Sequence, residues 1–337
     1  MSTVKIRTIS ALEKCFFDDS LDEKAAYTNA TALTGERFSY QIALLLDEMP
    51  MGGKQVVHYK LESDLQDQIR IARVDHVPSM MPAYPEQDEN YLRTEPGLYP
   101  DLLRPISQED RIYLVSGRLS SVWVDVFPDD TSSEGLHEIQ IRFFSETGEE
   151  VGRSVFTLRL IPCRLPKQKL IYTQWFHCDC LADYYHVAPF SEEHWEIIES
   201  FLKTAAANGV NMILTPIFTP PLDTAVDGER TTTQLVGIKT DGDAYCFDFA
   251  KLDRWVELCR RCGIEYFEMS HLFTQWGAYH APKIMAEKDG AFVRIFGWET
   301  DAHGEAYSRF LQAFLPKLRE HLRQLGIENH CVFHISD

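Results

Sequence analysis

The chain has 337 residues, of which 45% are hydrophobic, 12% aromatic and 25% charged; this composition excludes intrinsic disorder and suffices for two domains with cores of their own. Its formal charge is 33 minus 51, or -18, so a nucleic-acid partner would meet a repelling field. No run approaches the roughly 18 apolar residues of a membrane span, and Met1–Ile9 lacks an apolar stretch of signal-peptide length, so a cytoplasmic chain with no membrane partner is expected.

The first half reads as strands. Phe38, Tyr40, Ile42, Leu44 and Leu46 alternate with other residues, the period of a half-buried strand. The same pattern predicts strands over 37–46, 55–61, 68–74, 119–127, 136–144 and 151–161, separated by turn clusters at 51–54, 128–135 and 146–149. This predicts an N-terminal β-sandwich over residues 1–165. Pro78 to Pro105 holds six of the sixteen prolines. Because proline cannot donate to a ladder, that stretch is expected to be one long ordered loop, packing on a neighbouring domain or touching ligand. Pro162–Lys167 reads as the linker.

Beyond it the period changes. Lys169–Phe176 is a near-continuous apolar run, expected as a strand buried on both faces. A helix from a Ser191 N-cap to Asn208-Gly209 precedes a strand over 210–216. A second, opened by Asp248 and ended by Gly263, precedes a strand over 264–269. A third, from about Glu305 to Gly326, precedes a strand over 331–335. Strand–helix alternation implies parallel strands. A doubly wound sheet would carry a glycine-rich loop where Phe176-His-Cys-Asp-Cys180 stands. The expectation for residues 166–337 is therefore a partial (β/α)8 barrel of about four β/α units, the first half of a truncated barrel. Together the two halves make a multidomain β and α/β protein.

The eight cysteines are expected to be free thiols. Cys259-x-x-Cys262 falls in a helical pattern without a second pair, and Cys178-x-Cys180, beside His177 and Asp179, is read as a loop after a strand; no metal and no cofactor are expected.

Barrel active sites lie at strand C-terminal ends. Those positions hold Trp175, His177, Asp179, Asp183, Tyr184 and Tyr185; then Thr215 and, further along, Arg230–Gln234; then Glu268, Ser270, His271, Gln275, Trp276 and His280; and finally His334, Ser336 and Asp337. Aromatic faces stack on the C–H faces of a sugar while carboxylates and amides bind its hydroxyls, so the set suits carbohydrate. Trp175 and Trp298 serve either stacking or packing, and His334 is either a ligand-binding or a hydrogen-bonded core histidine. A carboxylate at a buried strand end, as at Asp337, is costly without a partner or a task.

The strings Asn211–Thr224 (NMILTPIFTPPLDT), Phe267–Ala278 (FEMSHLFTQWGA) and His334–Asp337 (HISD) resemble glycoside hydrolase family 123 and its relatives. The resemblance implies a β-sandwich plus catalytic barrel and a β-N-acetylgalactosaminidase-type activity on a glycan with terminal N-acetylhexosamine. It also implies a retaining, substrate-assisted mechanism in which the 2-acetamido oxygen attacks the anomeric carbon to give an oxazolinium ion. Asp337 matches the aspartate that orients the acetamido group. The glutamate that follows it in the family does not follow here, so a truncated chain of weak or no activity is expected. Trp175, His177, Asp179, Thr215, Glu268, His271, Gln275, Trp276 and His334 are the candidate substrate-binding residues. A non-catalytic carbohydrate-binding protein, and a glycosidase of the same fold on another glycan, remain open.

Overall fold

Apolar alternation builds the first half into sheets, and the computed structural model describes residues 4–47, 49–222, 224–242, 244–275 and 277–334. The chain divides into two compact units, Met1–Lys167 and Gln168–Asp337.

The described residues of the first unit form ten strands: β1 (Val4–Ser10), β2 (Asn29–Thr34), β3 (Phe38–Leu46), β4 (Lys54–Glu62), β5 (Ile69–Ser79), β6 (Gly97–Pro105), β7 (Ile112–Val115), β8 (Leu119–Val126), β9 (Gly135–Ser145) and β10 (Glu150–Arg164). One sheet has the order β1-β3-β8-β5-β6 and the other β2-β10-β9-β4-β7. Ladders are antiparallel except for β10 with β2. Inward residues of both sheets share one core, in which Tyr40 of β3 stacks on Phe156 of β10 at 4.1 Å. Burying these side chains drives the unit together, each fully buried Val, Leu, Ile or Phe contributing about 1.5–3 kcal/mol.

Two expectations change here. Residues 78–105 are not one loop, because Pro78 and Ser79 are the last residues of β5 and the last nine residues are β6, leaving 80–96 between them. Pro100 and Pro105 are tolerated because β6 is the sheet's edge strand, and Pro78 because β5 pairs with β8 only over Ile69–Arg73, so its missing N–H breaks no inner ladder. A cleft of about 720 Å³ lies under this loop, lined by Lys14, Phe16, Tyr91, Arg93, Tyr99 and neighbouring residues of the first unit. The expected linker at 162–167 is shorter than its prolines suggest, since β10 runs through Pro162 to Arg164.

The described residues of the second unit form β11 (Thr173–Gln174), α1 (Cys178–Tyr185), α2 (Glu192–Ala207), β12 (Met212–Thr215), β13 (Gly237–Asp241), β14 (Ala244–Asp248), α3 (Ala250–Cys262), β15 (Tyr266–Met269), β16 (Ile284–Lys288), β17 (Ala291–Phe296), α4 (Glu305–Gln324) and β18 (Cys331–Phe333). β11, β12, β15 and β18 make a four-stranded parallel sheet in that order. Helix ends follow local chemistry. The Ser191 hydroxyl accepts from the His194 N–H, and Gly209, Gly263 and Gly326 supply left-handed φ of 89°, 97° and 67° after α2, α3 and α4.

The run 169–176 is not a strand buried on both faces. Only Thr173–Gln174 pair, at the sheet edge, and Leu170, Ile171, Tyr172 and Trp175 are exposed. Nor is Cys178–Cys180 a loop: it is the first turn of α1. The insertions after β12 and β15 also hold structure that apolar runs did not announce. Each contributes a hairpin, β13–β14 and β16–β17, and the hairpins join through parallel pairing of β13 with β16. Asp289 and Gly290, both at positive φ, make the second turn, a type I′ signature in Asp-Gly. α4 covers this small sheet, with Phe310 against Phe296 and Phe314 against Phe247.

Candidate functional site

The period of two along a strand decides which residues of the parallel sheet meet. Phe267 and Met269 of β15 pack in the core with the helices, so Glu268 between them points to the other face. The registers Leu214↔Glu268, Glu268↔Val332 and Thr173↔Met212 put Thr173, Leu214, Glu268 and Val332 on that face. Trp175 and His334, two residues on from Thr173 and Val332, follow them.

Glu268 is only 5% exposed and collects donors from three segments. Thr173 Oγ1 donates to Oε2 at 2.9 Å, Trp175 Nε1 donates to Oε1 at 3.0 Å, and His334 Nδ1 lies 3.4 Å from the same Oε1. His271, two residues past β15, closes the cluster. Its ring centroid is 3.9 Å from that of His334 and 5.6 Å, edge to face, from Trp175. Trp175 nevertheless leaves 43% of its surface exposed, so an indole face is presented beside a buried carboxylate. Four of the nine candidate substrate-binding residues thus converge: Trp175, Glu268, His271 and His334.

The others lie elsewhere. Thr215 pairs with Met269 on the helix-facing side, buried, with Oγ1 donating to the Ile213 carbonyl. Asp179, in the first turn of α1, accepts from Arg230 Nε at 2.7 Å; Arg230 also reaches the Leu222 carbonyl and the Cys180 sulfur. Thr231 Oγ1 donates to Asp183, so adjacent residues of the insertion after β12 clamp α1. Burial disfavours the Arg230 cation, but its bond to Asp179 more than offsets this and holds its pKa above the usual arginine value. Gln275 donates to the Thr224 carbonyl, and His177 is the residue preceding α1. Trp276 and Asp337 lie outside the described residues.

Sequence reasoning weighed Arg230 only as part of a polar excursion. Its pairing with Asp179 spans 51 residues, and no local pattern signals it. The buried Cys178 thiol is pushed up by burial and by neighbouring Asp179, and Cys331 is pushed up to about 12 by burial, so both stay protonated and are poor metal ligands. Among the described residues no three His, Cys, Asp or Glu side chains gather as a metal site requires. Also among them, no helix is long and apolar enough to cross a membrane.

Residues 175–337 match the model of the glycoside hydrolase 123 catalytic domain. Nearly the whole second unit is thus similar to the catalytic domain of that family. A family 123 glycoside hydrolase from Clostridium perfringens, solved for the details of glycolipid glycan hydrolysis, is similar in fold over 98% of this chain, with a TM-score of 0.73 and 14% identity. The chain spans 58% of that protein's length. The N-terminal domain of PorA (TM-score 0.23, 11% identity, 46% of this chain and 97% of its own) and the macrocyclization catalyst AvmM (0.27, 10%, 49% and 93%) are too distant in fold to bear on function. No curated protein matches the chain.

Proposed function

We propose that this chain carries part of a β-N-acetylgalactosaminidase-type glycosidase working by substrate-assisted, retaining hydrolysis on a glycan with terminal N-acetylhexosamine. In this reading the first unit is a β-sandwich and the second the first half of a (β/α)8 barrel. The observation that carries it is the match of nearly the whole second unit to the family's catalytic domain, whose strand ends gather Trp175, Glu268, His271 and His334 just before Asp337. Trp175 supplies a face for the apolar side of a sugar ring. Asp337 orients the 2-acetamido group, whose oxygen attacks the anomeric carbon, and its carboxylate stabilises the developing oxazolinium charge. The family scheme takes its general acid from a glutamate directly after that aspartate.

The test uses an aryl β-N-acetylgalactosaminide with this chain and with the longest form its coding sequence yields. Turnover by the longer form, inhibition by a thiazoline mimic of the oxazolinium, and a fall in kcat of about 10²–10³ in Asp337→Asn are expected. No turnover and no inhibition would overturn the mechanism; sugar binding without turnover would favour a carbohydrate-binding protein.

A further inference from the structure

The cleft under residues 80–96 has walls that are tied in place by the first unit itself. Arg93 of the loop lies 3.8 Å over the Phe16 ring, and its guanidinium donates to Asp18 at 2.6 Å and to Asp19 at 2.8 Å. Tyr99 of β6 meets Phe16 edge to face at 5.7 Å, and its hydroxyl donates to the Glu95 carbonyl at 2.6 Å. Loop, edge strand and the segment after β1 thus form one preformed wall, which spares a ligand the cost of ordering it. We propose that this cleft is a binding site for a short uncharged sugar, with Tyr91 and Tyr99 as its aromatic surface and Lys14, Asn90 and Asp101 as the groups that bond hydroxyls.

Size, polarity and charge each bear on the ligand class. The volume of about 720 Å³ falls within the range of about 300–1,000 Å³ of small-molecule sites. The lining keeps Tyr91 44% and Leu92 73% exposed, apolar area suited to the C–H faces of a sugar ring. Among the described residues the Asn90 amide, the Tyr91 hydroxyl and the Asp101 carboxylate have no hydrogen-bond partner, and Lys14 Nζ reaches the Pro100 carbonyl alone, at 3.4 Å. An ammonium donor, a carboxylate acceptor and two groups that do both match hydroxyls, which themselves donate and accept. Lys14 and Arg93 stand against Asp88 and Asp101, two cations to two carboxylates, so the lining is neutral in a chain of net charge -18. Arg93 is already committed to Asp18 and Asp19, which leaves a phosphorylated ligand no free guanidinium. The site lies wholly within the first unit and depends on neither the activity nor the residues assigned to the second.

The full chain is labelled with 3-fluorotyrosine and followed by ¹⁹F NMR, the Tyr91 and Tyr113 signals being assigned by their loss in Tyr91→Phe and Tyr113→Phe. Lactose, maltotriose and cellotriose are the probes. At least one is expected to move the Tyr91 signal saturably while that of Tyr113, exposed on the other sheet, stays in place. Asp101→Ala should weaken that sugar about tenfold, the loss of one hydrogen bond to a charged group. Its urea midpoint should be unchanged, because the exposed carboxylate supports no other group. Glucose 6-phosphate should bind no more tightly than glucose. Trp175→Ala, in the second unit, should leave the Tyr91 response intact, so failure here and failure of the glycosidase reading are separable. No saturable shift with any of the three sugars, tighter binding of the phosphate, or unchanged affinity in a folded Asp101→Ala would overturn the proposal.

Discussion

Replacing Arg230 by alanine should destabilise the second unit severely. The Arg230 and Asp179 side chains are 11% and 3% exposed, so theirs is a buried ion pair, not a solvent-screened one. Among the described residues Asp179 Oδ1 has no hydrogen-bond partner, which leaves Arg230 as the main compensation of a buried charge. Removing one partner of such a pair costs about 3–5 kcal/mol, whereas an exposed pair is worth about 0–1 kcal/mol. Arg230 also holds the Leu222 carbonyl, and the same segment is pinned by Lys283 Nζ to the Arg230 carbonyl and to Glu229. With a urea slope of about 2 kcal/mol/M, the loss corresponds to a midpoint shift of about 1.5–2.5 M. The assay is urea denaturation followed by tryptophan fluorescence; of six tryptophans, only Trp123 lies in the first unit. The double variant Asp179→Leu with Arg230→Met should recover most of the loss, because it removes the uncompensated charge and keeps volume. A midpoint shift below about 0.5 M in Arg230→Ala would refute the reasoning and return Asp179 to the list of ligand-binding groups.

Three further outcomes are expected. His194 has its pKa lowered by burial, partly opposed by its bond to the Cys178 carbonyl; the unfolded ring, at about 6.5, then binds the proton better. Its contribution to stability is complete above about pH 6.5 and is lost as the pH falls below that value, so second-unit urea midpoints should decline with acid more steeply in the native protein than in His194→Gln. Gly263→Ala should cost about 1–2 kcal/mol in the same denaturation assay. The cause is the φ of 97°, since the new Cβ would meet Ala206 Cβ at an ordinary 3.5 Å. Trp175→Ala should weaken binding of N-acetylgalactosamine about tenfold, the loss of about 1.4 kcal/mol of ring contact, measured by calorimetry. Trp175→Phe, which keeps a ring face, should lose less, and unchanged affinity in the alanine variant would remove Trp175 from the sugar site.

The sequence by itself determined what short-range physics governs. Alternation at 37–46 makes β3, the Ser191 hydroxyl starts α2, and Gly209, Gly263 and Gly326 end three helices because only glycine takes positive φ without strain. The family strings likewise pointed to glycoside hydrolase family 123, whose catalytic-domain model residues 175–337 match, without any contact being known. Tertiary structure alone decided whatever depends on pairing across long separations. It made the prolines at 100 and 105 compatible with a strand by placing β6 at an edge, and it joined hairpins from two insertions into a second sheet. It also turned Thr215 to the helix side while gathering Thr173, Trp175 and His334 on Glu268 from 95, 93 and 66 residues away. A side chain's identity is local, but the partner that stabilises its charge is chosen by register and topology. Asp179 and Glu268, two carboxylates given the same role by sequence, therefore differ: one is held by a buried arginine and the other lies at the centre of the candidate site.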